Sequence, residues 1–286
     1  MLWLHLLANG LVTGCALGMV AVSFSLIYST TRIFHVAHAG IYSLGGYLAW
    51  SAVRHGMPSP LALLAAMLAC TVAGALIQKL LYERLERRGA THLVVLIASL
   101  GMTAVLQNLI AAIYTSNVLT FPLPWAARTV DLGGALLTVA QLLTAATGLA
   151  VYLGAMLFAH RTLLGKRMRA TASNPFLAEI TRLQPRHVHI IVMAVGSAMV
   201  CLPGMLVPLD LGLQPFGGFT MLLTATIAMI AGGVGSITGA FVLAILISVL
   251  QNLSLLVMPG EWSIAVTFSI FVIFMLFRPR GLFVAS

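Results

Sequence analysis

Apolar runs of about twenty residues follow one another along this chain, separated by short polar loops. A run of that length crosses the hydrocarbon layer as a helix, because each residue advances about 1.5 Å and the layer is about 30 Å thick. Membrane strands would instead show alternation over about ten residues. Hydrophobic residues make up 60% of the 286 residues and charged residues 7%, whereas a soluble domain carries roughly 25% charged residues. A water-facing surface cannot be built from this composition. The sequence therefore predicts an all-α, polytopic integral membrane protein with about eight to nine transmembrane helices. Residues 1–286 are expected to form one transmembrane domain, with no room for a separate soluble one.

The longest polar interruption is Arg161–Arg186, which carries Arg161, Lys166, Arg167, Arg169, Arg182 and Arg186 against the single carboxylate Glu179. Basic loops between spans stay on the cytoplasmic side. Within this loop, Thr171–Thr181 predicts a short helix with Asn174 as N-cap and Pro175 at the first helical position. Such a helix is placed to meet something soluble. The clusters around Arg32, Lys79–Arg88 and Arg278–Arg280 fall on the same side by the same rule, putting the N-terminus outside and the C-terminus inside. The first apolar run has no basic residues before it, as a cleaved signal would, so it is read as a retained span.

Several spans carry unusual residues. The first repeats Gly10, Gly14 and Gly18 on one face, a spacing that lets another helix approach closely. The second opens with His35-Val36-Ala37-His38-Ala39-Gly40 and continues through Gly45-Gly46-Tyr47. Gln107 and Asn108 lie deep in the fourth. The sixth, Val188–Val207, is expected to break at Pro203-Gly204 and is followed by Pro208, Asp210, Gly212 and Pro215. Polar groups and broken helices within a membrane mark solute pathways, so His38, Asn108 and Asp210 are candidate path residues. Asp210 is the carboxylate positioned to meet a substrate ammonium group or to cap the loop. The stretch from Gly232 to Ala240 reads as a tight helix–helix turn, with Gly232, Gly233, Gly235 and Gly239 permitting close packing. It lacks the lysine and the preceding strand of a phosphate-binding loop.

Other functions are disfavoured by the same residues. The net charge of +9 is explained by topology, and no basic face or stacking platform suggests nucleic acid. Cys15, Cys70 and Cys201 have no metal-ligand or disulfide spacing. His35 and His38 share a face without a carboxylate or thiolate, which makes a poor metal site, and no metal is expected. An ion-coupled secondary transporter needs intramembrane carboxylates. Of the six acids, only Asp210 falls at an ambiguous depth. An intramembrane enzyme needs paired catalytic groups, and His38 has no partner in the sequence.

Five motifs in order resemble the membrane permease subunits of branched-chain amino-acid ABC importers. They are Val36-Ala37-His38-Ala39 followed by Gly45-Gly46-Tyr47; Ser99-Leu100-Gly101 with Asn108 downstream; Gly165, Arg169-Ala170, Asn174 and Ala178 in the basic loop; Gly232 to Ala240; and Arg278 to Leu282. The resemblance implies that the loop is a coupling helix seated in a groove of an ATPase subunit, with Gly165, Arg169, Ala170, Asn174 and Ala178 as its coupling residues. It implies a second permease subunit, homologous or identical, two ABC ATPase subunits that bind the ATP and Mg, and a periplasmic solute-binding protein, all at a bacterial inner membrane. The chain itself has no Walker motif and no cofactor of its own. The expected solute is a branched-chain or hydrophobic amino acid. The chain departs from the family at Ala39, Gly40 and Arg182-Leu183, which leaves urea or a short amide as the alternative solute.

Overall fold

The computed structural model describes residues 2–131, 133–174, 178, 184–278 and 281–283. Among them the α-helices dominate. These are α1 (Leu2–Thr31), α2 (His38–Arg54), α3 (Ser59–Ile77), α4 (Glu83–Arg87), α5 (His92–Tyr114), α6 (Val139–Arg161), α7 (Leu163–Ser173), α8 (Pro185–Leu206), α9 (Pro208–Leu211), α10 (Gly217–Gly232), α11 (Ile237–Ser254) and α12 (Ser263–Phe277). Seven helices in the described residues are long and apolar enough to cross a membrane, and α10 is a shorter apolar helix beside them.

α1 is the axis of the bundle. Its most apolar stretch is 83% buried, against 6% for the α12 segment at the periphery. It packs on α11, α8, α6 and α10. Within hydrocarbon no hydrophobic effect drives helices together, so tight van der Waals contact must do so. The α1–α11 seam shows how. A Cβ at Gly10 would sit 2.8 Å from Val249 Cα, and one at Gly14 would sit 2.7 Å from Ile245 Cα. A Cβ at Gly18 would strike the Phe241 ring. Three glycines one turn apart on α1 thus receive three residues one turn apart on α11. The glycine repeat builds a contact within the chain.

Two helices depart from regular geometry. α3 passes into α4 through a π turn, Gln78–Tyr82, where the Glu83 N–H donates to the Gln78 carbonyl five residues back. The break expected at Pro203-Gly204 lies further on. α8 continues through Pro203 to Leu206, and the chain leaves helical geometry at Gly212, with φ 81°. A proline removes one helical donor, but the helix runs on through it, and Gly204 lies against the Tyr42 carbonyl of α2, where a Cβ would not fit.

The end opposite the basic loops contains a small hairpin absent from the sequence reading. β1 (Thr129–Asp131) pairs antiparallel with β2 (Leu136–Thr138), with Val130 facing Leu137. β2 leads directly into α6 through a capping box between Thr138 and Gln141. The chain after α5 also bridges Leu119 to Leu213, and the Trp50 indole N–H donates to the Thr120 carbonyl at 2.9 Å. This end is therefore knitted by backbone pairing.

Candidate functional site

Three places combine polar groups with unusual backbone: a buried histidine network, a cleft at the hairpin end, and the elbow between α6 and α7.

The network begins where α1 turns into α2. Ser23 on α1 lies 2.8 Å from His38 Nε2. His35 Nδ1 lies 2.7 Å from the Tyr82 hydroxyl, which lies 2.7 Å from Ser99 Oγ on α5. Ser99 in turn accepts the Ala37 N–H at 3.0 Å. Both imidazoles are fully buried, and their rings meet edge-on at 5.5 Å. The π turn is what presents Tyr82 to this group, since its extra residue rotates the following side chains around the helix. The network ties α1, α2, the end of α3 and α5 together. His35 Nε2 and His38 Nδ1 have no hydrogen-bond partner among the described residues. Tyr82 and Ser23 were not singled out by the sequence, because the π turn and the α1–α2 crossing exist only in three dimensions.

The cleft, about 370 Å3, is bounded by α1, α2, the end of α8, α9, α10, α11, the start of α12 and the irregular segment after α9. Thr13, Ser43, Gln214, Thr220 and Gln251 supply uncharged polar groups, and Leu17, Leu211 and Met221 supply apolar wall. Ser43 donates to the Pro215 carbonyl at 2.9 Å and so holds the irregular segment against α2. No charged side chain lines this space among the described residues.

None of the three path residues chosen from sequence faces this cleft, and the structure does not bring them together. His38 is enclosed in the network. Asn108 lies on the exposed side of α5 and donates to its own helix at Ala104. Asp210 accepts from Thr138 Oγ1 at 3.2 Å and from Gln141 Nε2 at 3.0 Å, tethering α9 to the head of α6. Its chemistry is that of a clamp between two elements.

The elbow lies at the other end. Thr162 caps α7 by accepting the Gly165 N–H at 3.0 Å. A Cβ at Gly165 would fall on the Phe158 and Ala159 carbonyls, so only glycine allows the reversal from α6. The Arg169 guanidinium donates to the Ala159 carbonyl, a cation at a helix C-terminus where the backbone dipole favours it. Gly165, Met168 and Thr171 are buried, while Lys166, Arg167, Arg169 and Ala170 face outward. α7 packs by its buried face on α1, α6 and α8. α7 runs eight residues ahead of the helix expected from sequence and shares only Thr171–Ser173 with it. Asn174 follows it in extended backbone, φ −152° and ψ 97°, and accepts the Ala178 N–H at 3.0 Å. Residues 175–177, Pro175 among them, and 179–181 of that expected helix lie outside the described residues.

At the same end, the glycine turn and the C-terminal segment join. The Leu282 N–H donates to Ala231 and the Phe283 N–H to Gly232, both at 3.0 Å. A Cβ at Gly233 would strike the Phe283 carbonyl, and Gly232 and Gly239 meet backbone to backbone. Gly235 makes the turn with φ 89°.

Two pairs of motifs far apart in sequence thus touch: Ala37 with Ser99, and Gly232-Gly233 with the segment around Leu282. The family described as "Branched-chain amino acid transport system / permease component" matches residues 6–275. The BraD permease protein of the high-affinity branched-chain amino-acid transport system of Pseudomonas aeruginosa is 27% identical, over 98% of this chain and 95% of its own length. The LivH permease protein of Escherichia coli K12 is 23% identical with the same coverage. Among solved structures, PsaBC from Streptococcus pneumoniae in complex with Fab shares the fold at a TM-score of 0.54 and 15% identity, covering 95% of this chain and 91% of that one. Motifs that meet in space, seven apolar spans and a family match along almost the whole chain agree: this protein belongs to the branched-chain amino-acid transport permease family.

Proposed function

We propose that this permease is the membrane-spanning half of an ATP-driven importer in a bacterial inner membrane, paired with a second permease and driven by two ATPase subunits. The observation that carries the proposal is α7. It is a short helix with a buried face of Gly165, Met168 and Thr171 and a basic outer face. A soluble partner pressing on that outer face pushes directly on the end of α1, the most enclosed helix of the bundle. Gly165 and Arg169 act by holding the elbow in shape, and Ala170, Asn174 and Ala178 extend the surface that the ATPase grips. The chain contributes no phosphate-binding loop, so ATP and Mg sit on the partner.

The solute is a branched-chain or other hydrophobic amino acid, delivered by a periplasmic binding protein. The cleft near Thr13, Ser43 and Gln251 suits it, with apolar wall for the side chain and uncharged polar groups around it. Urea or a short amide would leave that apolar wall unused.

Co-expression with the ATPase tests the proposal. The ATPase should co-purify with the tagged permease and be lost with Ala178→Pro, and the isolated permease should show no ATP turnover. Vesicles holding the complex should take up leucine and not urea. Robust ATP hydrolysis by the permease alone, or retention of the ATPase by the proline variant, would refute the assignment.

A further inference from the structure

A second cavity, about 610 Å3, opens at the basic end between the close of α1 and the start of α5. Two side chains of opposite charge line it, Arg32 and Glu86, with His92 beside them. Phe34, Leu93 and Leu96 form apolar wall. Arg32 and Glu86 are both exposed, and among the described residues neither forms an ion pair. The pair in this region is Arg87 with Glu83. The crevice thus offers a cation, an anion and an apolar surface, with neither charge consumed by the other.

The backbone supplies an independent observation. Arg32 ends α1 with φ 56°, and its N–H donates to Tyr28 at 2.9 Å. This is the left-handed position that glycine ordinarily fills after a helix. A side chain there costs about 1–2 kcal/mol. Strain of this kind clusters at ligand clamps and switch regions. Arginine stands at a place where glycine would relax the backbone.

We propose that this crevice binds a free amino acid with an apolar side chain from the cytoplasmic side. The Arg32 guanidinium takes the carboxylate, a pairing that is short and directional. Glu86 takes the ammonium group, and the side chain lies against Phe34, Leu93 and Leu96. Arg186, the second residue of α8, lies within electrostatic reach of Glu86. A bound amino acid therefore bridges the end of α1 to α4, whose Glu86 faces Arg186 of α8. α7 packs on α1 and α8, so occupancy opposes the movement that α7 transmits. The site is a product sensor, and this regulatory role, unlike the binding itself, rests on the importer function proposed above.

The test uses the permease assembled with its ATPase in lipid nanodiscs, without ATP or binding protein. Labelled L-leucine should bind saturably. 4-Methylpentanoate, which lacks the ammonium group, and isopentylamine, which lacks the carboxylate, should compete at least tenfold more weakly than leucine. Arg32→Gly and Glu86→Gln should each weaken binding at least tenfold. Arg32→Gly should also keep or raise the melting temperature, which separates loss of a ligand contact from loss of fold. Binding unchanged in both variants, no saturable binding, or equal competition by 4-methylpentanoate (a simple anion or lipid-headgroup site) would overturn the proposal. In vesicles preloaded with leucine, wild-type uptake should slow and Arg32→Gly uptake should not. Uptake that ignores preloaded leucine removes the feedback role and leaves the importer function standing. Absence of leucine uptake in every variant counts against the importer function, while the nanodisc binding still decides the site.

Discussion

Tyr82 gives the histidine network its reach. Its hydroxyl stands between His35 Nδ1 and Ser99 Oγ, 2.7 Å from each, and the residue is fully buried. Replacing it with phenylalanine removes two contacts and keeps the ring. Polar contacts between membrane helices average about 0.6 kcal/mol, and leaving a buried partner unsatisfied costs about 1–3 kcal/mol. Tyr82→Phe should therefore lower stability by about 1–2 kcal/mol, read as an earlier thermal transition of the detergent-solubilised protein. Ser99 keeps the Ala37 N–H, so the fold should survive. An unchanged transition would mean that the network adds nothing to stability. The residues of this network were only partly legible beforehand. The two histidines stand out because polar side chains are scarce in apolar runs, whereas Tyr82 becomes significant only through the π turn that aims it.

At the scale of elements, the elbow between α6 and α7 is the most constrained joint. Its turn depends on a glycine lying against two carbonyl oxygens, on the Thr162 cap and on Arg169 donating to Ala159. Overpacking of this kind costs about 1–3 kcal/mol. Because the strain falls at one end of α7 and not in the bundle, Gly165→Ala should tilt α7 and leave the spans intact. The expected outcome is normal membrane insertion and melting temperature within a few degrees of wild type, with ATP-driven uptake reduced at least fivefold in reconstituted complex. Uptake at the wild-type rate would show that the angle of α7 is not critical. The sequence pointed to this loop through its charge and to a helix starting at Asn174. It did not reveal α7, whose buried residues Gly165, Met168 and Thr171 are too mixed in character to announce an apolar face.

For the whole molecule, the α10–α11 turn holds the segment at Leu282 and Phe283 through two backbone hydrogen bonds. Gly233→Val places a branched side chain where the Phe283 carbonyl lies, at φ 106°. The terminal segment should be released, which limited proteolysis would detect as faster cleavage after Phe277; protection equal to wild type would contradict this. The sequence by itself determined the class of molecule. Continuous apolar runs of span length point to helices, because in hydrocarbon a single segment satisfies its own backbone hydrogen bonds only as a helix, and basic loops assign a common side by charge alone. Both properties are local and additive, so they can be read along a chain. Only the tertiary structure decided which polar groups meet. Asp210 clamps α9 to α6, Asn108 faces outward, and Arg32 shares a crevice with Glu86, because each of these outcomes depends on how helices cross. In a membrane those crossings are set by close steric fit between surfaces, and such a fit belongs to pairs of helices far apart in sequence.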